Sequence, residues 1–134
     1  AMKLPMYQPE PPAFEPPRPA ELRTAGMVDD PERADALRPA VIEALKTVYD
    51  PEIPVNIYDL GLIYDVIVDG ASVVGIRMTL TAPNCPAAQY LPGQVEYAVR
   101  GVEGVSDVIV DVVFDPPWDR DKMSDAAKLQ LGLW

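Results

Sequence analysis

Residues 62–81 read LIYDVIVDGASVVGIRMTLT, and the fold is decided here. In the second half, Val74, Ile76, Met78 and Leu80 fall on one side of an extended chain. Gly75, Arg77, Thr79 and Thr81 fall on the other, because successive side chains of a strand point to opposite faces. The first half, rich in β-branched residues, reads as a partner strand. Asp69-Gly70 lies between the two runs, and a tight hairpin turn of the favoured hand needs positive φ. The stretch therefore predicts two antiparallel strands with one apolar face that must be covered.

Elements on either side supply the cover. Upstream, Leu37, Val41, Ala44, Leu45 and Val48 recur at helical spacing within residues 30–49. Asp29 or Asp30 is suited to cap this helix and Pro31 to open it. Pro39 marks either a later start or a kink. The pattern stops at Tyr49-Asp50-Pro51, because the residue before proline avoids helical ψ. Downstream, Leu91, Val95, Ala98, Val99 and Val102 form the buried stripe of a second helix, with Pro92 near its start and Gly101 and Gly104 at its end. In VSDVIVDVVF (105–114), Val108, Val110, Val112 and Phe114 alternate with Asp107, Asp111 and Val113, so this run is a third strand. A crossover from the second strand through a helix to the third is right-handed and makes that pair parallel. SDAAKLQLG (124–132) reads as a short last helix capped by Ser124. The order α-β-β-α-β-α predicts a two-layer α/β sandwich of the α+β type, with a small three-stranded mixed sheet.

Composition sets the boundaries. Nine of the 16 prolines precede Val41, and residues 1–30 carry little apolar periodicity. They are expected to form a proline-rich flexible arm, with Tyr7 and Phe14 as anchors if it docks, and residues 31–134 a single domain. Ala1 ahead of Met2 has the look of a tag remnant. The net charge is −10 among 134 residues. Such a chain is repelled by phosphate backbones, which argues against nucleic-acid binding. No run approaches a membrane span. A charged, proline-rich N-terminus lacks the apolar centre of a signal peptide, and one cysteine forms no internal disulfide. Both point to the cytoplasm.

The chemistry narrows to one side chain. Cys85 is the only cysteine and there is no histidine. That excludes a Cys–His pair, a Ser–His–Asp triad, a CxxC redox pair and a zinc knuckle within one chain. No phosphate-cradling glycine motif is present. A catalytic apparatus is therefore not expected. Cys85 lies in TAPNCPAAQYLPG (81–93), between the second strand and the second helix. If Pro86 opens that helix, Cys85 caps it. The free N–H groups and positive dipole end would then stabilise a thiolate. Asn84 is short and bonds locally. The residues read as an accessible, activated thiol suited to a soft metal or to group transfer; the plain alternative is a buried structural cysteine. One thiolate does not hold an iron–sulfur cluster, which usually takes four. A symmetric homodimer supplies two, and a partner protein or small thiol the rest.

Two further candidates are weaker. Asp50, Glu52 and Asp59 place three carboxylates in DPEIPVNIYDLG (50–61), where they suit a hard cation or proton transfer, or simply a solvated loop. Trp118, Met123 and Leu131 concentrate large apolar groups near the C-terminus. They either pack on the domain or form a surface that docks client proteins without touching metal.

Three blocks, DPEIPVNIYDLGLIYDV, TLTAPNCPAAQYLPGQVEYAV and FDPPWDRDKMSDAAKLQLG, in this order, resemble the SufT-like family of iron–sulfur cluster assembly proteins. The resemblance covers about residues 35–132 and extends to cytosolic iron–sulfur targeting factors and to an assembly factor for phenylacetate-ring oxygenases. It implies an accessory role, linked to the SUF machinery, in delivering clusters to client apoproteins. It implies that Cys85 is the functional thiol and a ligand shared with a second chain or partner. A transient cluster or iron would then be cargo, not a tightly bound cofactor. Thr81, Asn84 and Pro86 would support it, with Asp50 and Glu52 of the D-P-E block. The family often has glycine where Asn84 stands; asparagine is the next residue that tolerates left-handed φ. The resemblance is silent on the arm. A thiol transferase is the remaining alternative, and it lacks a base.

Overall fold

The computed structural model describes residues 22–51, 53–81 and 90–132. Helix α1 spans Pro31–Leu45, strand β1 Ile63–Val68, strand β2 Val73–Met78, helix α2 Leu91–Arg100, strand β3 Asp107–Val112 and helix α3 Asp125–Gln130, with a 3-10 turn at Arg120–Lys122 before the last. The order is α-β-β-α-β-α. The sheet runs β1-β2-β3, with β1 antiparallel and β3 parallel to the central β2. The fold is the expected α+β sandwich with a small mixed sheet.

Core packing follows the alternation of β2. Val74, Ile76 and Met78 are fully buried and join Val41 and Leu45 of α1 and Leu91, Val95 and Val99 of α2 in one apolar cluster. Asp30 caps α1, its carboxylate accepting from the amides of Glu32 and Arg33. Pro39 does not interrupt that helix. Pro39 and Asp35 both sit on the exposed side, where the Asp35 carbonyl left without an N–H partner meets water.

The hairpin forms as expected, but its positive φ belongs to Ser72 (63°), not to Gly70. The connection is longer than a two-residue turn. Asp69 accepts from the amides of Ala71 and Val73 through one carboxylate oxygen. Ser72 is then held by distant groups: Arg33 Nη1 donates to its hydroxyl at 2.6 Å and the Ser106 amide to its carbonyl at 2.9 Å.

The segment Leu22–Asp30, assigned by composition to the arm, packs as a strap across the second face of the sheet. Thr24 is fully buried. Its amide and hydroxyl donate to Asp111 Oδ2 at 2.7 and 2.6 Å, and the Arg23 amide donates to Oδ1 at 3.1 Å. Arg77 closes the network, its Nε donating to the Thr24 hydroxyl at 2.9 Å. Gly75 is what lets the strap approach: a Cβ there would stand 2.7 Å from Met27 Sδ and 3.0 Å from Thr24 Cγ2. The strap then seals the outer edge of β1. The Val68 amide donates to Asp29 Oδ1 and the Val68 carbonyl accepts from the Asp30 amide, both at 2.8 Å. Residues 1–21 of the expected arm lie outside the described residues.

Several of the described C-terminal apolar groups turn inward. Met123 is 5% exposed and Ala127 1%. Trp118 and Leu131 are partly buried against the core, and Trp118 Nε1 donates to the Leu60 carbonyl at 2.6 Å. Gly61, with φ of 80°, allows this closure, since a Cβ there would meet the Lys122 carbonyl. Met123 thus spends its apolar surface on the domain itself, whereas Trp118 and Leu131 pack partly against the core and keep the remainder exposed. Among the described residues of this region, Leu129 is the exposed large hydrophobic one.

Candidate functional site

The connection carrying Cys85 leaves and rejoins the fold at one end of the sheet. After β2 the chain continues through Leu80 and Thr81, and it returns at Tyr90, the N-cap of α2. Because the crossover is parallel, α2 starts beside the end of β2. The C-terminus of α1 and the start of β1 (Ile63, paired with Met78) lie at the same end. Cys85, Asn84, Pro86 and Glu52 lie outside the described residues. Helix α2 has Tyr90 as its N-cap and Pro92 in its first turn, so Cys85 is not the cap of Leu91–Arg100.

The described neighbours of that connection are firmly built. Asp50 is 4% exposed; its Oδ1 accepts from the Ile53 amide at 3.0 Å and its own amide donates to Val55 at 3.3 Å. The Val48 carbonyl accepts from Ile57, and Tyr49 bridges Asn56. Asp59 accepts from Asn56 Nδ2 at 2.7 Å and returns its amide to Asn56 Oδ1 at 2.8 Å. These carboxylates hold the shape of residues 48–62. Among the described residues no three Cys, Asp or Glu side chains converge on a metal position. The hydroxyls of Thr79 and Thr81, alternate residues leading toward Cys85, are buried without a hydrogen bond that satisfies donor–acceptor geometry.

Two depressions at this end escaped the sequence reading. A groove of about 720 Å³ is lined by Thr47, Val48, Tyr49, Tyr90, Gly93, Gln94, Tyr97 and Ala98. Its three tyrosines are exposed by 57, 41 and 83% in chain order. The spacing of Tyr90, Gln94 and Tyr97 at i, i+4 and i+7 is the signal that finds them: it is one face of α2, flanking the apolar stripe. The other is a cleft of about 640 Å³ on the strap side, lined by Leu22, Ile63, Tyr64, Phe114 and Lys122 among others. Tyr64 donates to the Pro116 carbonyl at 2.7 Å, Lys122 Nζ sits 5.5 Å from its ring centre, and burial raises its phenol pKa above the ordinary value.

Comparison with known proteins places this geometry. Residues 38–112 match the family described as iron-sulfur cluster assembly protein. A "Fe-S protein maturation auxiliary factor" of Porphyromonas gingivalis is 53% identical over 93 residues, 69% of this chain and 89% of that protein. The "Fe-S protein maturation auxiliary factor SufT" of Staphylococcus aureus is 40% identical over 86 residues, 64% of this chain and 98% of that protein. The crystal structure of a domain of unknown function (DUF59) from Bacillus anthracis superimposes with a TM-score of 0.72 at 35% identity, covering 78% of this chain and all of that one. The matched residues run from α1 through β3 and include Cys85. The chain belongs to the iron–sulfur cluster assembly protein family.

Proposed function

We propose that this protein is a cytoplasmic accessory factor in the maturation of iron–sulfur proteins, acting through Cys85. The carrying observation is that the family match spans the whole β2–Cys85–α2 connection. The relatives named as maturation auxiliary factors support the accessory role. In this reading iron or an iron–sulfur cluster is cargo. The Cys85 thiolate is one ligand, and a second copy, an assembly protein or the client apoprotein supplies the others, since one thiolate falls short of the usual four. The protein binds and hands over; it does not turn over a substrate. The Cys85 connection leaves at the β2 end of the sheet, which is framed by the Asp50 loop and the start of α2. Such a frame suits a ligand that must reach into another protein.

The test is native mass spectrometry after anaerobic incubation with iron and sulfide, comparing wild type with Cys85→Ser. A cluster-sized mass on the wild type and none on the variant is the expected result. In parallel, Cys85→Ser is expected to lose client maturation while its thermal melt is unchanged. Full client maturation by the variant would sink the reading.

A further inference from the structure

We infer that the tyrosine-lined groove between α2 and residues 47–49, just after α1, is the seat of the chain's own proline-rich arm, residues 1–21. Three independent observations meet here, and none depends on the role proposed for Cys85.

The first is the groove. Tyr49, Tyr90 and Tyr97 offer three exposed rings around one depression, with Gly93 leaving its floor open. Clustered exposed aromatics mark binding surfaces. Aromatic-lined grooves take polyproline II segments in particular: proline rings stack on the aromatic faces, and the segment has no internal hydrogen bonds, so its carbonyls are free to accept. Tyrosine hydroxyls and Gln94 supply the donors. The lining carries no charged side chain, which suits a ligand recognised by shape.

The second is the arm. Seven of residues 1–21 are proline, and Pro9–Pro12 and Pro16–Pro19 have the spacing that places prolines on one edge of a polyproline II helix. The third is the strap. Leu22 lies with Ile63, Arg77, Val113 and Phe114, at the end of the sheet where β2 and β3 finish. That is also the end where Tyr49 and Tyr90 stand. The strap therefore releases the arm at the groove's end of the domain, not at the Val68 end. Twenty-one residues of polyproline II reach about 65 Å. A domain of this size has a radius of gyration of about 13 Å, so the arm is long enough to round the sheet. Seated there, it lies beside Tyr90, where the chain returns from the Cys85 connection.

The test uses the full chain. NMR of the labelled protein is expected to show NOEs from arm proline ring protons to the rings of Tyr49, Tyr90 and Tyr97. Tyr97→Ala, at a side chain too exposed to matter for folding, is expected to abolish them and leave the melting temperature unchanged. Chymotrypsin cleavage after Phe14 is expected to be several-fold faster in that variant, and Tyr97→Phe, which keeps the ring, to restore the slow rate. The inference is overturned by the absence of these NOEs, or by NOEs to Ile63, Phe114 and Pro116 of the other cleft. Equal cleavage of wild type and Tyr97→Ala also overturns it. NOEs seen only between differently labelled molecules would refute the intramolecular seat.

Discussion

Removing one hydroxyl tests whether the strap belongs to the folded domain. In Thr24→Val the side chain keeps its shape and loses Oγ1. That oxygen donates to Asp111 at 2.6 Å and accepts from Arg77 at 2.9 Å. Thr24 is fully buried and Asp111 is 5% exposed, so water does not replace either bond without opening the structure. A hydrogen bond to a charged group contributes about 1.5–3 kcal/mol net, which puts the two together near 3–6 kcal/mol. Two features reduce this. Asp111 retains the amides of Arg23 and Thr24. The strap also lies near one end of the chain and is able to detach alone, so the loss is capped by its own docking free energy. We expect a destabilisation of about 2–3 kcal/mol. For a domain of this size that lowers the melting temperature by roughly 10 °C. Urea unfolding at constant slope reads the change, and hydrogen exchange at the Thr24 amide shows whether the strap opens first. A change below about 0.5 kcal/mol, the range of ordinary surface substitutions, would refute the reading of Leu22–Asp30 as part of the fold.

Two other substitutions probe the closures at the two ends of the sheet. Gly61→Ala meets both a left-handed φ of 80° and the Lys122 backbone. Left-handed φ alone costs about 1–2 kcal/mol, and displacing the 3-10 turn adds to it, so a thermal melt should fall by well over 5 °C. The Asp29 carboxyl lies below its ordinary value of 3.8, first because it accepts from the Val68 amide and further because Arg38 is adjacent. Its lowered value means that its contribution is fully present above the ordinary value and is lost as pH falls through the folded one. The stability difference between wild type and Asp29→Asn should therefore be constant near neutrality and shrink on acidification from about pH 5 to pH 2. A difference that does not change with pH would show that the carboxylate's charge plays no part.

The sequence alone determined the elements whose cause is local. The alternation of Val74, Ile76 and Met78, the helical stripe of Val95 and Val99, and a cap at Asp29 or Asp30 each lie within a few residues, so a short window contains the whole signal. Those windows determined the α+β sandwich, the parallel crossover and the place of Cys85 between β2 and α2. Only the tertiary structure decided what depends on distant partners. Positive φ fell on Ser72 because Arg33 and Ser106 hold it there, though Asp69-Gly70 looked locally sufficient. Pro39 stayed inside α1 because it faces water. The strap reads as arm because it has no period. It is ordered by a carboxylate 87 residues away, at Asp111, and by the missing side chain of Gly75. Met123 was open between docking and packing until the core received it, and Trp118 packs partly against the core with its Nε1 donating to the Leu60 carbonyl. Periodicity records which face of an element is apolar. Which surfaces then meet depends on how those faces close on one another, and no local stretch of chain encodes that.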